Sequence, residues 1–395
     1  MNVTIRKQQE DGSNIFLSRL MGIIRKPRSQ LSVDQPFFNR IERVTAGNYG
    51  EVWFRTAGCQ WDKRGGCTMC NYGTSPSPST GAMVESVKQA LAAFDQPISE
   101  LMVSPSGSML DPVEVPQEAR SRIYSLIAAF PTSKVLLETR SEWITEEHLL
   151  ELCASQPIGR QLAVEIGLES IDPWIRRFCI NKGGSIADFV RAAKLAHQHG
   201  VEVYANVCLG TAFLSPLEAI EDAVVTVIWA LKNGADHAVV FPLHVKPYTL
   251  LDTLYQRDAY APPSLWSLVE VLRRIEPELH SKVEIAWYRS YYDTDTKIHR
   301  SPDTCPVCRE DVLSQLDQFR ANQSTQTITT LSDYACVCHG RWSDSLAANT
   351  DGLAKRVEAE YYRLGAEFGL DEWLATDGIG LIDAIRSRSR GIIVA

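Results

Sequence analysis

The sequence predicts an α/β fold, a partial (βα)6 TIM-like barrel with a C-terminal metal-binding extension. Three observations predict it. Short runs rich in Val, Ile and Leu alternate with segments of helical period from Glu51 onward. The alternation stops near residue 300, and two cysteine pairs, CPVC and CVC, stand beyond that point. The chain accordingly divides into an N-terminal arm or cap (1–45), a barrel (46–295) and an extension with a four-cysteine site (296–395).

In order, the expected strands are EVWFRTA (51–57), ELMVSPS (100–106), KVLLETR (134–140), QLAVEIGLE (161–169), VEVYANVCLG (201–210) and HAVVFPLHV (237–245). The helices between them are expected at 84–94, 116–130, 145–154, 185–200 and 215–234. Thr145 and Ser215 precede acidic first turns, and Gly200 and Gly234 stand where a left-handed C-terminal residue is wanted. A helix over 262–280 and a strand over 282–290 extend the sheet, and 354–370 reads as an amphipathic helix. Six units fall short of the eight that close a full barrel. One side is therefore expected to stay open to a bulky substrate, with ligands at the carboxyl ends of the strands.

The 395 residues are 45% hydrophobic and 22% charged, a globular composition able to bury a large core. No apolar run approaches the roughly 18 residues of a membrane span. The opening MNVTIRKQQEDGSN lacks the apolar stretch of a secretory signal, so a cytoplasmic location with no membrane partner is expected. A net charge of −8 disfavours a broad phosphate-binding surface, leaving Arg25, Lys26, Arg28, Arg289 and Arg300 for a local basic patch. Ten cysteines in such a compartment point to metal ligands rather than disulfides.

Cys59, Cys67 and Cys70 fall in a loop directly after the first strand, on the face where barrel chemistry sits. Thiolates suit zinc or iron–sulfur clusters. Structural zinc normally closes four ligands, so three cysteines fit it poorly unless a fourth comes from elsewhere. A [4Fe-4S] cluster on three cysteines keeps one iron free for a small molecule. Glu138, Arg140, Glu165 and Glu169 are charges at the carboxyl ends of apolar strands and need a partner or a ligand. Cys305, Cys308, Cys336 and Cys338 are enough for a complete four-ligand site, zinc being preferred over an auxiliary iron–sulfur cluster, with His339 a substitute for one thiolate.

The loop GCQWDKRGGCTMCNYG resembles the radical S-adenosylmethionine (SAM) superfamily, and its seven-residue first gap and GGCTMC context resemble the archaeosine synthase radical SAM subunit. The Elongator catalytic subunit is a more distant likeness. SPSGSMLDPVEVP (104–116), LETRSEWIT, VEIGLES, INKGG, LSPLEAIEDA and YAPPSLWSLVEVL match the same pattern, which spans roughly residues 45 to 345. The resemblance implies a [4Fe-4S] cluster on Cys59, Cys67 and Cys70, with SAM chelating the open iron. It implies SAM contacts from Met69, Ser106, Gly107, Ser108, Asp111, Glu138, Arg140 and Glu165. Glu169, Asn181, Lys182 and Cys208 are the candidates for substrate contact.

The expected activity is reductive cleavage of SAM and radical modification of an amino-acid-like or nucleobase-like substrate, with an electron donor such as flavodoxin or ferredoxin. The pattern's lysine and prolines before the fLsE element are replaced here by NVCLGTAFLS, which favours a small molecule in a biosynthetic pathway over tRNA. Modification of a tRNA base remains the alternative, and a non-catalytic metal scaffold the third reading.

Overall fold

The computed structural model describes residues 14–25, 37–74, 77–105, 107–289, 298–347 and 351–388. Eight strands form one curled sheet in chain order: β1 (Phe37–Val44), β2 (Gly47–Phe54), β3 (Glu100–Pro105), β4 (Lys134–Thr139), β5 (Gln161–Glu169), β6 (Val201–Leu209), β7 (His237–Pro242) and β8 (Val283–Ile285). From β2 to β8 all neighbours are parallel, as the βα rhythm requires, while β1 runs antiparallel to β2.

The expected arm therefore supplies a sheet strand. A helix, α1 (Ile15–Arg25), precedes it. The hairpin with β1 also starts β2 four residues earlier than Glu51. At the far edge only three residues of the expected 282–290 strand pair with β7. The helix expected over 262–280 stops at Arg274, because Pro277 draws the chain out of the helical region.

Behind the first half of the sheet lie α2 (Thr80–Ala92), α3 (Gln117–Ala129), α4 (Glu146–Ser155) and α5 (Ile186–Gln198). Behind the second lie α6 (Pro216–Lys232), α7 (Leu265–Arg274), α8 (Arg309–Asn322) and α9 (Thr325–Ser332). Local chemistry sets their ends. Thr145 accepts from the His148 N–H, and Ser215 and Glu218 form a reciprocal capping box at the start of α6. Strand alternation divides each strand between two environments: on β2, Val52 and Phe54 meet the helices, whereas Glu51 and Trp53 line the interior.

The open side is not free over its whole height. α8 lies across the seam between β1 and β8: Arg320 forms an ion pair with Glu42 of β1, and Gln323, just after the helix, donates to Glu284 of β8 at 2.7 Å. Beyond α10 (Val337–Leu346), the helices α11 (Leu353–Glu367), α12 (Asp371–Ala375) and α13 (Ile379–Ser387) pack with α1 into a separate apolar cluster that includes Cys67. These elements form the cap over the cysteine loop. No helix of the described residues is long and apolar enough to cross a membrane.

Candidate active site and metal centre

The cysteine loop leaves β2 at the carboxyl end of the sheet and is held from three directions. Arg25, at the end of α1, is 4% exposed and donates to the carbonyls of Asp62 (2.9 Å), Cys67 (2.6 Å) and Cys70 (2.6 Å) while pairing with the Asp62 carboxylate at 2.5 Å. Arg25 is thus a buried brace and does not belong to a basic surface patch. Asn181, in the left-handed region at φ 56°, donates its amide to the carbonyls of Gly65 (2.8 Å) and Gly66 (3.2 Å). Gly65 has φ +80°, and a Cβ there would stand 2.0 Å from the Ser18 carbonyl oxygen, so glycine is required. The third support is Trp61, whose indole N–H donates to the Asn181 carbonyl at 2.9 Å.

Breaking this brace has a predictable cost. Arg25→Ala leaves the buried Asp62 carboxylate without its ion pair and is expected to destabilise the fold by about 3–5 kcal/mol. Thermal unfolding of the apoprotein measures it, and a loss under about 1 kcal/mol would show that the loop does not depend on Arg25.

Burial pushes the Cys59 thiol up to about 12 against the pull of Arg140, whose Nη1 lies 3.2 Å from its sulfur, and raises Cys67 and Cys70 as well. Three desolvated thiols of this kind ionise only for a bound metal centre. They do not converge as the ligands of one ion would: among the described residues only Cys305, Cys308, Cys336 and Cys338 place all their ligand atoms within 4.8 Å of one another. The loop's donor set therefore fits a polynuclear cluster better than a single ion.

Facing the loop, the segment after β3 is fastened to β4. Arg140 pairs with Asp111 (2.7 Å), Glu114 (2.8 Å) and Glu142 (2.7 Å), and Glu114 also accepts from the Gln60 N–H at 2.8 Å. Ser108 Oγ lies 2.7 Å from Thr139 Oγ1. Asp111, Ser108 and Glu114 are fully buried, so their side chains hold the backbone rather than face the cavity. Gly107 is the residue of this segment that lines the cavity, and a Cβ there would meet Glu114 Oε2 at 1.9 Å. Ser106 lies outside the described residues. Glu114, missed in the sequence, was legible only as an acid inside the quoted SPSGSMLDPVEVP element.

A cavity of about 250 Å³ runs from the loop into the barrel, and Cys59, Cys67, Met69 and Cys70 stand at its mouth. At this level a bulge in β5 turns Glu169 to φ +67°. Burial alone would lift the Glu169 carboxyl, but Lys182 at 2.9 Å and the Cys208 thiol at 3.0 Å outweigh it and hold it below its ordinary range. Glu169, Lys182 and Cys208 thus form one cluster, whereas Asn181 is spent on the loop. Lys246, unnoticed in the sequence, faces the same cavity with its Nζ about 5 Å from the ring centres of Tyr72 and Trp287.

Deeper, Glu138 and Glu165 are register partners on β4 and β5. Burial raises them to about 7 and about 8, with the charge of Glu138 adding to the rise at Glu165 and that of Glu51 adding to both. Since an unfolded glutamate ionises near 4.5, the native state binds the extra protons, and stability falls as pH rises from about 5 to 8. Glu165→Gln is expected to flatten that slope in melts of the apoprotein across this range, and an unchanged slope would remove Glu165 as its source.

In the extension the sulfur separations are 3.6 Å (Cys305–Cys308), 3.6 Å (Cys305–Cys336), 3.4 Å (Cys308–Cys338) and 3.5 Å (Cys336–Cys338). A tetrahedral zinc at about 2.3 Å from each sulfur sets neighbours about 3.8 Å apart, close to this arrangement. His339 does not replace a cysteine. Its ring stacks on Trp266 at 4.2 Å and its Nδ1 contacts the Tyr334 carbonyl at 3.0 Å.

Comparison with known proteins agrees with this geometry. Residues 53–227 match the family model of the Radical SAM superfamily. Archaeosine synthase subunit beta of Methanosarcina acetivorans is 33% identical over 304 residues, covering 75% of this chain and 84% of that protein. Its namesake in Thermococcus kodakarensis is 31% identical over 314 residues, covering 76% and 93%. Among solved structures, Elp3 of the archaeon Methanocaldococcus infernus superposes with a TM-score of 0.44 at 16% identity, over 60% of this chain and 58% of that one. With the three-cysteine loop at the carboxyl end of a curled parallel sheet, the family-model match and the two archaeosine synthase relatives make the chain an enzyme of the radical SAM superfamily.

Proposed function

We propose that Cys59, Cys67 and Cys70 hold a [4Fe-4S] cluster and that the enzyme modifies a nucleobase-type group carried on tRNA. The observation that supports this most directly is the cavity running from the three buried thiols into the barrel. Bound there, the cluster and SAM would supply radical chemistry, started by one-electron reductive cleavage of SAM, with the electron drawn from a donor such as flavodoxin or ferredoxin. Met69 and the Gly107 backbone flank the cofactor at the mouth. Arg140 keeps Asp111, Glu114 and the Ser108 turn in place and lends positive charge to Cys59. Glu169, Lys182 and Cys208 lie between cofactor and substrate. In the extension, zinc on the four cysteines acts as a structural staple.

The relatives' names, beta subunits of archaeosine synthase, support the tRNA reading and a partner subunit. In this reading the partner prepares the base. Those names outweigh the small-molecule preference drawn from the β6 segment. One observation still favours a free small molecule: of the basic residues available for an RNA-facing patch, Arg25 is buried and Arg289 is paired with Asp317. Lys26 and Arg28 lie outside the described residues and bear on neither reading.

The deciding experiment measures 5′-deoxyadenosine formation by the anaerobically reconstituted enzyme with and without tRNA bearing the partner's product. Stimulation by intact tRNA that falls with added salt supports the reading. Stimulation that survives digestion of the tRNA to nucleosides overturns it in favour of the small molecule.

A further inference from the structure

Lys246 stands on the segment that follows β7, and that segment is tied to the cysteine loop. Asn71 donates to the Pro247 carbonyl at 3.0 Å, and the Leu250 N–H donates to the Thr68 carbonyl at 2.9 Å. The half-buried Lys246 side chain lines the cavity together with Cys70, Tyr72 and Trp287. Its Nζ is 5.0 Å from the centre of the Tyr72 ring and 5.2 Å from that of Trp287. Trp287 keeps this place in a left-handed backbone conformation, φ +59°, that a bulky residue rarely adopts. His244 holds it there: burial pulls the imidazole down to about 4, so the neutral ring donates from Nε2 to the Trp287 carbonyl at 2.5 Å while Nδ1 accepts from the Ser301 hydroxyl at 3.1 Å.

The other lysine and arginine side chains of the cavity are matched with carboxylates. Arg40 pairs with Glu51, Arg140 with Asp111 and Glu114, Lys182 with Glu169, and Arg320 with Glu42. Lys246 has no ion pair among the described residues, and its one hydrogen bond there goes to the Tyr72 hydroxyl at 3.4 Å. Glu138, whose charge reaches it, lies beyond ion-pair distance. Two aromatic rings offset part of the cost of withdrawing a cation from water, but they leave ammonium N–H bonds unspent. Tyr72 accepts from Lys246, so its own hydroxyl proton is left over, with no acceptor among the described residues. Two donors 3.4 Å apart match the two oxygens of one carboxylate or phosphate.

We propose that Lys246 and Tyr72 form an anion seat in the cavity, with Trp287 as its wall, and that the seat takes an oxyanion of the substrate. A carboxylate carried on the base and a phosphate of the nucleic-acid backbone share that chemistry. The inference deepens the reading of this cavity as the substrate site of a radical SAM enzyme and rests on it.

Ligand-observed NMR titration of the reconstituted, SAM-loaded enzyme tests this with propionate, ethyl phosphate and the neutral propionamide. At least one anion is expected to bind about tenfold or more tighter than propionamide, and the tighter of the two identifies the source. Lys246→Met should abolish that preference and Lys246→Arg should keep it. Tyr72→Phe, expected to weaken the preferred anion about threefold or more, provides a second reading should the methionine variant not fold. Propionamide binding as tightly as both anions, or a preference unchanged in the methionine and phenylalanine variants, overturns the seat. If the loaded enzyme shows no anion preference and Lys246→Met weakens SAM itself about tenfold, the ammonium serves the cofactor's carboxylate and the seat is likewise overturned. The spectral response of the cluster to SAM separates the two failures. A protein that responds to SAM without preferring either anion loses the seat and keeps the radical reading. One that prefers an anion without responding to SAM keeps the seat and loses that reading.

Discussion

Changing Cys59, Cys67 and Cys70 together to alanine is expected to remove the oxygen-sensitive iron and reduce 5′-deoxyadenosine formation to background, while the C-terminal metal stays bound. The expectation follows from separation. The loop thiols sit under the α1 and α11–α13 cap, whereas the four-cysteine group packs against the α6–α9 side of the sheet. Fold should survive, because the loop is held by Arg25, Asn181 and Trp61 independently of its sulfurs. Iron, sulfide and zinc analysis with a deoxyadenosine assay checks both halves. Retained SAM cleavage would refute the assignment of the cluster to these cysteines.

Cys308→Ser is expected to abolish metal binding in the extension and to unfold part of it. Structural zinc contributes roughly 10–16 kcal/mol in small zinc-dependent domains, and here it would join the start of α8 to the start of α10. Cys308 is also the residue immediately before α8, the helix whose far end carries Arg320 to Glu42 and to the ring of Tyr49. Loss of the metal should therefore loosen the seam between β1 and β8 as well. A second, lower unfolding transition and faster amide exchange in α8 are the expected signatures. A single unchanged transition after chelation would deny the site a structural role.

The sheet was largely legible because its strands are buried on both faces and read as continuous apolar runs, QLAVEIGLE (161–169) matching β5 to the residue. β1 was not legible. Its sequence FFNRIERV reads as polar because Arg40 and Glu42 point inward to charged partners, Glu51 and Arg320. The cysteine loop announced its three candidate ligands through their spacing and position. Its frame gave no such signal: nothing local ties Arg25 to residues 62–70 or Asn181 to Gly65. Asp111 and Ser108 were recognised as part of the site, but their burial shows that they hold it through Arg140 and Thr139. Lys246 went unnoticed because a lone lysine after a strand looks like any solvated charge until Tyr72 and Trp287 are seen around it.

The support of the cysteine loop spans the chain. Asn14 donates to Asn181 and to the Tyr361 hydroxyl of α11, which in turn donates to the Phe178 carbonyl, and Phe16 stacks on Tyr361 at 4.6 Å. During synthesis the three thiols leave the ribosome nearly 300 residues before the tyrosine that completes their surroundings. Until then the loop lacks part of its apolar roof. A chain interrupted before α11 would present its thiols to oxidants and stray metals without the shelter that the finished fold gives them.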